Sequence, residues 1–387
     1  MAASWKGRHA LTGEAVEIFA ENGRITAVKA LEGIDPERLP WISSGWIDLQ
    51  VNGFGGYDFN GERTTHDDLE GATRALHRHG VARYLPTVIT GSFDRMSQAF
   101  AAIASHVRSG GYGAGSIAGI HMEGPYLSGV DGSRGAHSRD HIRDPDWAEF
   151  EELQHAAAGL IRMVTIAPER KGAIAMIERL AENGIVAAIG HTAADGDTLE
   201  AAVRAGATVS THLGNGSQLM LPRHPNYIWH QLADDRLWGT FIADGHHLAP
   251  PVLKAMLRAK RGKAILVSDA TKFAGMPPGR YTSEIGGEVV LTEGGRLHTA
   301  ANPDILAGSA SALDQAVANC VRYTDMTLAE AVEAVTARPA LAMNEPELGV
   351  LSPGSPAALT LFDADGAGGI RIRETVVAGE TVFRREN

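Results

Sequence analysis

The sequence predicts an α/β fold: a (β/α)8 barrel of the TIM type, with a small accessory β-sandwich built from both chain termini. Three observations predict it. Eight short apolar runs alternate with amphipathic helix patterns between Trp46 and about Met343. Each run is closed by a polar residue, and β-rich segments flank the alternating region at both ends of the chain. Strands alternating with helices make a parallel sheet, and eight such units close a barrel. The competing arrangement is an open doubly wound sheet, but no Gly-x-Gly-x-x-Gly turn follows an early strand.

In chain order, Ala15–Phe19 and Arg24–Val28 read as strands around Glu21-Asn22-Gly23-Arg24, whose Asn-Gly signals a hairpin. The tail carries Leu359–Phe362, Ile370–Ile372, Thr375–Val377 and, beyond the Gly379 turn, Val382-Phe383. Residues 1–45 and 345–387 are expected to pack together as the accessory unit, the alternative being two independent extensions. Residues 46–344 are expected to form the barrel. Its strands are expected at Gly45–Val51, Arg83–Thr87, Ser116–His121, Arg162–Ile166, Val186–Gly190, Thr208–Thr211, Gly239–Ala243 and Ala264–Ser268. Among the intervening helices, Asp94–Val107, Lys171–Asn183 and Asp197–Ala205 space their apolar residues by three and four. Gly80, Gly184, Gly206 and Gly262 suit left-handed helix C-caps. Thr327-x-x-Glu330 reads as a capping box opening a helix through Val335.

The chain has 387 residues and 44% hydrophobic content, ample for a large core. Its 46 acidic and 35 basic residues give a formal charge of -11 without a basic tract, which argues against nucleic acid as a partner. No apolar run reaches the length of a membrane span, and Met-Ala-Ala-Ser-Trp-Lys-Gly-Arg-His lacks the apolar core of a secretion signal. Cys320 is the sole cysteine, so an intrachain disulfide is impossible, which fits a reducing compartment. The 16 histidines are the composition figure that invites chemistry.

Barrels of this kind work at the C-terminal ends of their strands. The residues closing the runs are Gln50 and Asn52, Thr87, Glu123, Glu169, His191, His212, Asp244 and Asp269. Taken singly, each has a plain structural reading. Glu123 in His121-Met122-Glu123-Gly124-Pro125 could be a charged loop exit; His191 and His212 could be satisfied histidines; Asp269 could be a helix N-cap. Taken together, one carboxylate and two imidazoles at the ends of nearby strands have the composition of a divalent metal site. Asp269, closing the eighth strand, then stands where a general base is needed. Of the neighbours His246 and His247, at most one can point inward on a strand. His137 lies in a glycine-bearing loop after strand three, either over the mouth or solvated. His77, His79, His224, His230 and His298 read as structural or exposed.

The ordered set Gly45-Trp-Ile-Asp-Leu-Gln-Val-Asn-Gly53, His121-Met-Glu-Gly-Pro125, Gly190-His-Thr192, Thr211-His-Leu213, Ala243-Asp-Gly-His-His247, Ser268-Asp-Ala270 and Leu306-Ala-Gly-Ser309 resembles the amidohydrolase superfamily, and within it the N-acetylglucosamine-6-phosphate deacetylase family. The resemblance runs over nearly the whole chain. It implies a hydrolase that releases acetate from an N-acetylated amino-sugar phosphate. It implies one divalent metal ion, Zn2+ or Fe2+, held by Glu123, His191 and His212, with Asp269 as general base and His137 polarising the acetyl carbonyl. His247 and Arg223 would face the phosphate, the arginine reaching into a neighbouring subunit of a homodimer. Ala136, Asn215, Gly216, Leu306, Ala307 and Gly308 would line the sugar. A cytoplasmic enzyme of amino-sugar metabolism is implied, with neither nucleic acid nor membrane as partner.

An amide is a poor ligand for a divalent metal beside imidazole or carboxylate. Gln50 and Asn52 would thus be a vestigial second-metal subsite, where some members of the superfamily carry two histidines. The chain departs from the family after His212: Gly214-Asn215-Gly216-Ser217-Gln218 keeps the asparagine but loses an aromatic wall. That departure leaves open a different, unphosphorylated N-acyl substrate. An inactive barrel serving as a scaffold is the reading from another class, and the intact Glu123, His191, His212 and Asp269 set argues against it.

Overall fold

The structure, a computed structural model, describes residues 3–283, 287–365 and 367–386. Met1, Ala2, Gly366 and Asn387 of the expected accessory unit lie outside these ranges. Strands one to eight of the barrel are Trp46–Val51, Val81–Ile89, Ile120–Glu123, Ile161–Ile166, Val186–Ile189, Ala207–Ser210, Trp238–Ile242 and Ala264–Val267. They pair in sequence order, each parallel to the next. Just beyond the strand ends the sheet closes on itself: the Asp269 N–H donates to Gln50 O at 3.0 Å and the Asn52 N–H to Ala270 O at 2.7 Å. Closure leaves neither edge of the strands unpaired.

Strands buried on both faces read as continuous apolar runs, which is why they stand out in the sequence. Alternate side chains divide between two cores. Ile47, Leu49, Leu85, Met163, Val186, Ala188, Val209, Ile265 and Val267 pack inside the barrel. Trp46, Tyr84, Ile166, Ala187, Ile189 and Leu266 pack outward against helix residues such as Leu69, Phe100 and Ile177. Ala340, Ala342 and Met343, from the helix Ala337–Ala342 and its cap, join the interior cluster and plug its N-terminal end. Only the opposite mouth is left for a site.

The helices Phe93–Ser109, Ala173–Glu182 and Gly196–Arg204 lie where the three- and four-residue spacing put them. The Thr327–Glu330 capping box is made, opening Leu328–Glu333, a shorter helix than expected. The third strand differs more. Ala114–Ser116 is a 3-10 turn, Ile117 makes an isolated parallel bridge to Tyr84, and the continuous strand begins only at Ile120, because Gly113 and Gly119 adopt φ of +80° and +147° and interrupt the extended run.

The two termini share one seven-stranded mixed sheet, in which Trp41–Ser44 pairs in parallel with Ala3–His9 and antiparallel with Leu359–Ala364. Ile25 on one edge strand and Val376, next to the other edge, meet in the same apolar cluster with Trp5, Ile18, Ile42 and Leu359. Distant strands can share a core only if the sheet curls over itself. A three-stranded antiparallel sheet, Gly279–Ser283, Gly287–Leu291 and Leu297–Thr299, is inserted after strand eight. The sequence reading did not anticipate it.

Candidate metal centre at the mouth of the barrel

Glu123 is the last residue of strand three, while His191 and His212 stand just past strands five and six. Their side chains, distant in the chain, converge. The His212 Nε2 to Glu123 Oε1 distance is 3.1 Å, His191 Nε2 to Glu123 Oε1 is 3.3 Å, and the two Nε2 atoms are 3.0 Å apart. All three residues are buried. Ligands about 2.0 Å from a tetrahedral zinc ion lie roughly 3.3 Å from each other. The His191 Nδ1–H donates to the Ser133 carbonyl at 2.9 Å, which leaves Nε2 bare and aimed at the common centre. Two nitrogens and one carboxylate oxygen suit zinc or iron far better than calcium or magnesium. The residues therefore fit a divalent metal.

The backbone adds an independent sign. His191, His212 and Asp269 have φ of +49°, +29° and +48°, in the left-handed region that residues with a Cβ avoid. Such strain costs on the order of 1 kcal/mol or more at each position and persists where the surroundings dictate it, as at functional sites.

Burial alone would raise the Glu123 pKa, but the close contacts with the His191 and His212 rings outweigh it and hold the carboxyl well below the usual range. Asp269 goes the other way. Burial first, and then the charge of Glu123, push it up to about 8. Two carboxylates in one mouth are thus driven apart, the pattern of a ligand beside a group that exchanges protons near neutral pH. His137 is buried, its ring 4.4 Å from that of His191 and edge-to-face with it. Burial, reinforced by His191, pushes its pKa down to about 3, so the ring is neutral. Its Nδ1 is 2.9 Å from the Thr90 hydroxyl. When Thr90 donates there, Nε2 carries the proton and can donate to a carbonyl oxygen.

Gln50 and Asn52 line the same mouth and both are engaged. Gln50 Nε2 donates to Glu123 Oε1 at 2.9 Å and Asn52 Nδ2 to Asp269 Oδ1 at 2.7 Å. The Leu306–Gly308 segment runs beside Asp269, with the Ser309 N–H donating to Asp269 O at 3.3 Å and Thr271 N–H to Ser309 O at 2.9 Å. Asn215 caps the strand-six turn through its N–H to His212 O at 3.0 Å. Ala136, half-buried, adjoins His137. Gly216 does not widen the pocket where a side chain would have stood: a Cβ there would lie 2.6 Å from His191 Nδ1. Of the adjacent pair, His247 is nearly buried and donates from Nδ1 to Asp244 Oδ2 at 2.7 Å, while the more exposed His246 meets Gly294 O. Arg223 is exposed on the loop after strand six and is not brought into the cluster; among the described residues no ion pair or hydrogen bond of its side chain is found. Cys320 is buried in the helix Leu313–Tyr323, and burial pushes its thiol up to about 12, which disqualifies it as a nucleophile.

Sequence reasoning missed three supporting residues. Asp244 was visible as a strand end, and the three-residue step to His247 was the available signal. Thr90 and Ser133 gave none.

The sequence model of the amidohydrolase family matches residues 41–382. The chain is 32% identical over 361 residues to an N-acetylgalactosamine-6-phosphate deacetylase of Escherichia coli O157:H7, covering 93% of this chain and 92% of that protein. It is 32% identical over 360 residues to the N-acetylglucosamine-6-phosphate deacetylase of Bos taurus, covering 89% and 84%. Among solved structures, N-acetyl-D-glucosamine-6-phosphate deacetylase from Mycobacterium smegmatis superposes with a TM-score of 0.87 at 30% identity, over 98% of this chain and 100% of that one.

Proposed function

This chain belongs to the amidohydrolase family, and we propose that it is a metal-dependent deacetylase of amino-sugar phosphates. It releases acetate and the free amine from N-acetylglucosamine-6-phosphate or a close relative. The observation that carries the reading is the convergence of Glu123, His191 and His212 to mutual distances of 3.0 to 3.3 Å. Those three residues hold one divalent ion, Zn2+ by preference and Fe2+ as the alternative. Bound there, such an ion supplies Lewis acidity that brings the pKa of water from about 16 towards 7.

The chain's own groups do the rest. Asp269 takes the proton from the attacking water and returns it to the departing nitrogen; a divalent cation held beside it would favour the ionised carboxylate that accepts the proton. Neutral His137 donates to the carbonyl oxygen as charge builds on it. Asp244 holds His247 in one orientation for the sugar phosphate, with Asn215, Gly216, Ala136 and the Leu306–Gly308 segment around the ring. Arg223 supplies a further phosphate contact from a neighbouring subunit. The homodimer this requires is supported by Leu219 and Met220, apolar side chains 94% and 88% exposed beside Arg223. A cytoplasmic location fits a charged substrate that does not cross bilayers unaided.

Acetate release from N-acetylglucosamine-6-phosphate, N-acetylgalactosamine-6-phosphate and both unphosphorylated sugars tests the reading. Turnover of at least one 6-phosphate by zinc-loaded protein, well above its neutral counterpart, is expected. No release from either 6-phosphate overturns it. Equal rates with and without phosphate redirect it to a neutral N-acyl substrate.

A further inference from the structure

The loop between strand three and the helix Trp147–Ala156 is fastened to the His191–Thr192 turn at three points. The Ser128 N–H donates to His191 O at 3.0 Å. The His191 Nδ1–H donates to Ser133 O at 2.9 Å, and the Ser133 hydroxyl donates to Thr192 O at 3.0 Å. Ser133 is therefore reciprocal: its carbonyl receives from the ligand's ring while its hydroxyl grips the next residue's backbone. It is fully buried, so no water replaces either bond. Four residues on, the same loop delivers His137 edge-on to His191. The ring is also boxed in by glycines. A Cβ at Gly135 would stand 3.0 Å from His191 Cε1, and one at Gly216 would stand 2.6 Å from Nδ1.

We propose that Ser133 is a positioning residue that binds the His137 loop and the His191 ligand into one rigid unit. The metal-holding imidazole and the carbonyl-facing imidazole then share one mount. Loosening the mount disturbs two functions at once, although Ser133 itself touches neither substrate nor metal. The inference rests on the deacetylase reading above, which gives His191 and His137 their roles.

Three measurements on purified full-length protein test it: the zinc dissociation constant by chelator competition, and kcat and KM at saturating zinc. Ser133→Ala keeps the carbonyl that receives from His191 but removes the hydroxyl that pins the loop to Thr192 O. With that carbonyl no longer held in place, zinc binding is expected to weaken about tenfold, the low end of what loss of a ligand's supporting contact costs. It should also lower kcat about fivefold, an effect of mispositioning alone, with KM within twofold. Ser133→Cys, a poorer donor of similar size, should fall between. Gly135→Ala keeps the serine but presses the ring from the loop side, and it should reproduce the paired loss if Ser133→Ala fails to fold. Folded Ser133→Ala with both zinc affinity and kcat within twofold of wild type overturns the proposal. So does loss of one without the other, since the two would then have separate mounts. A wild-type protein that neither binds zinc nor releases acetate removes the deacetylase reading instead, a distinguishable outcome.

Discussion

Asn52 Nδ2 donates to Asp269 Oδ1 at 2.7 Å, joining the end of strand one to the end of strand eight across 217 residues of chain. Gln50 does the same for Glu123 at 2.9 Å. Each amide ties up one carboxylate oxygen and so fixes the rotation of the carboxyl group. For Asp269, which stands outside the cluster of ligand atoms within 4.8 Å of each other, that restraint decides where its free oxygen points.

Replacing the donor should therefore cost rate and leave binding alone. Asn52→Leu, of similar volume but without the amide, is expected to lower kcat by about 100-fold, with zinc stoichiometry and KM little changed. Steady-state kinetics with metal analysis on the same preparation checks it. Unaltered kcat would mean that Asp269 is positioned without Asn52, and lost zinc would mean that Asn52 supports the ligands rather than the base.

How far the sequence revealed this site depends on what kind of contact was involved. Glu123, His191 and His212 were legible because doubly buried strands announce themselves as apolar runs, and a metal-ligand type closing such a run is conspicuous. The amides were legible as residues and illegible in action. As poor metal ligands they looked idle, and their partners lie 73 and 217 residues away, beyond any local pattern. Ser133 acts partly through a backbone carbonyl, which every residue has. The Gly279–Thr299 sheet escaped for another reason: Arg280, Thr282 and Glu288 are exposed, so its strands read as polar loop. In the third strand, Ser116 to Ala118 looked extended by composition; Ile117 does bridge to Tyr84, but Ser116 ends a 3-10 turn and Gly119 breaks the run before Ile120.

Asp48 makes stability pH-dependent in a direction opposite to most acids. It is fully buried, its Oδ2 has no hydrogen-bond partner among the described residues, Oδ1 accepts from the Gln50 and Ser268 amides at 3.3 and 3.2 Å, and the Ser268 hydroxyl adds a weaker contact. Burial outweighs those bonds and pushes its pKa from 3.8 up to about 6. Below pH 4 the group is protonated whether folded or not and has no effect. Between about pH 4 and 6 the unfolded chain gives up its proton first, so stability falls as pH rises, by about 3 kcal/mol in all. Asp48→Asn keeps an oxygen for both amides and removes the titration. Urea unfolding of both proteins with chelator present should show near-equal stability at pH 4 and an advantage for the variant approaching 3 kcal/mol at pH 7. A constant offset across that range would assign the effect to packing.

Arg223 distinguishes a site completed by its own chain from one completed by a neighbour. Its side chain is exposed and stands beside Leu219 and Met220, which are 94% and 88% exposed. Charge-assisted hydrogen bonds from a guanidinium to phosphate are worth roughly 1.5–3 kcal/mol. Arg223→Ala is therefore expected to raise KM for a 6-phosphate at least about tenfold, and to leave KM for a neutral N-acyl sugar unchanged. Mixing then locates the contact. Asp269→Asn chains supply an intact Arg223 but have no working base, whereas Arg223→Ala chains keep the base. In the proposed homodimer, unfolding and refolding the two together would make hybrids in which the only active site is the Arg223→Ala chain's own. If the arginine reaches across the interface, that site receives it from the partner and shows the wild-type KM in a fraction of the molecules. If Arg223 serves its own barrel, the hybrids keep the high KM of the parent variant, and the exposed Leu219–Met220 edge must be explained without a shared site.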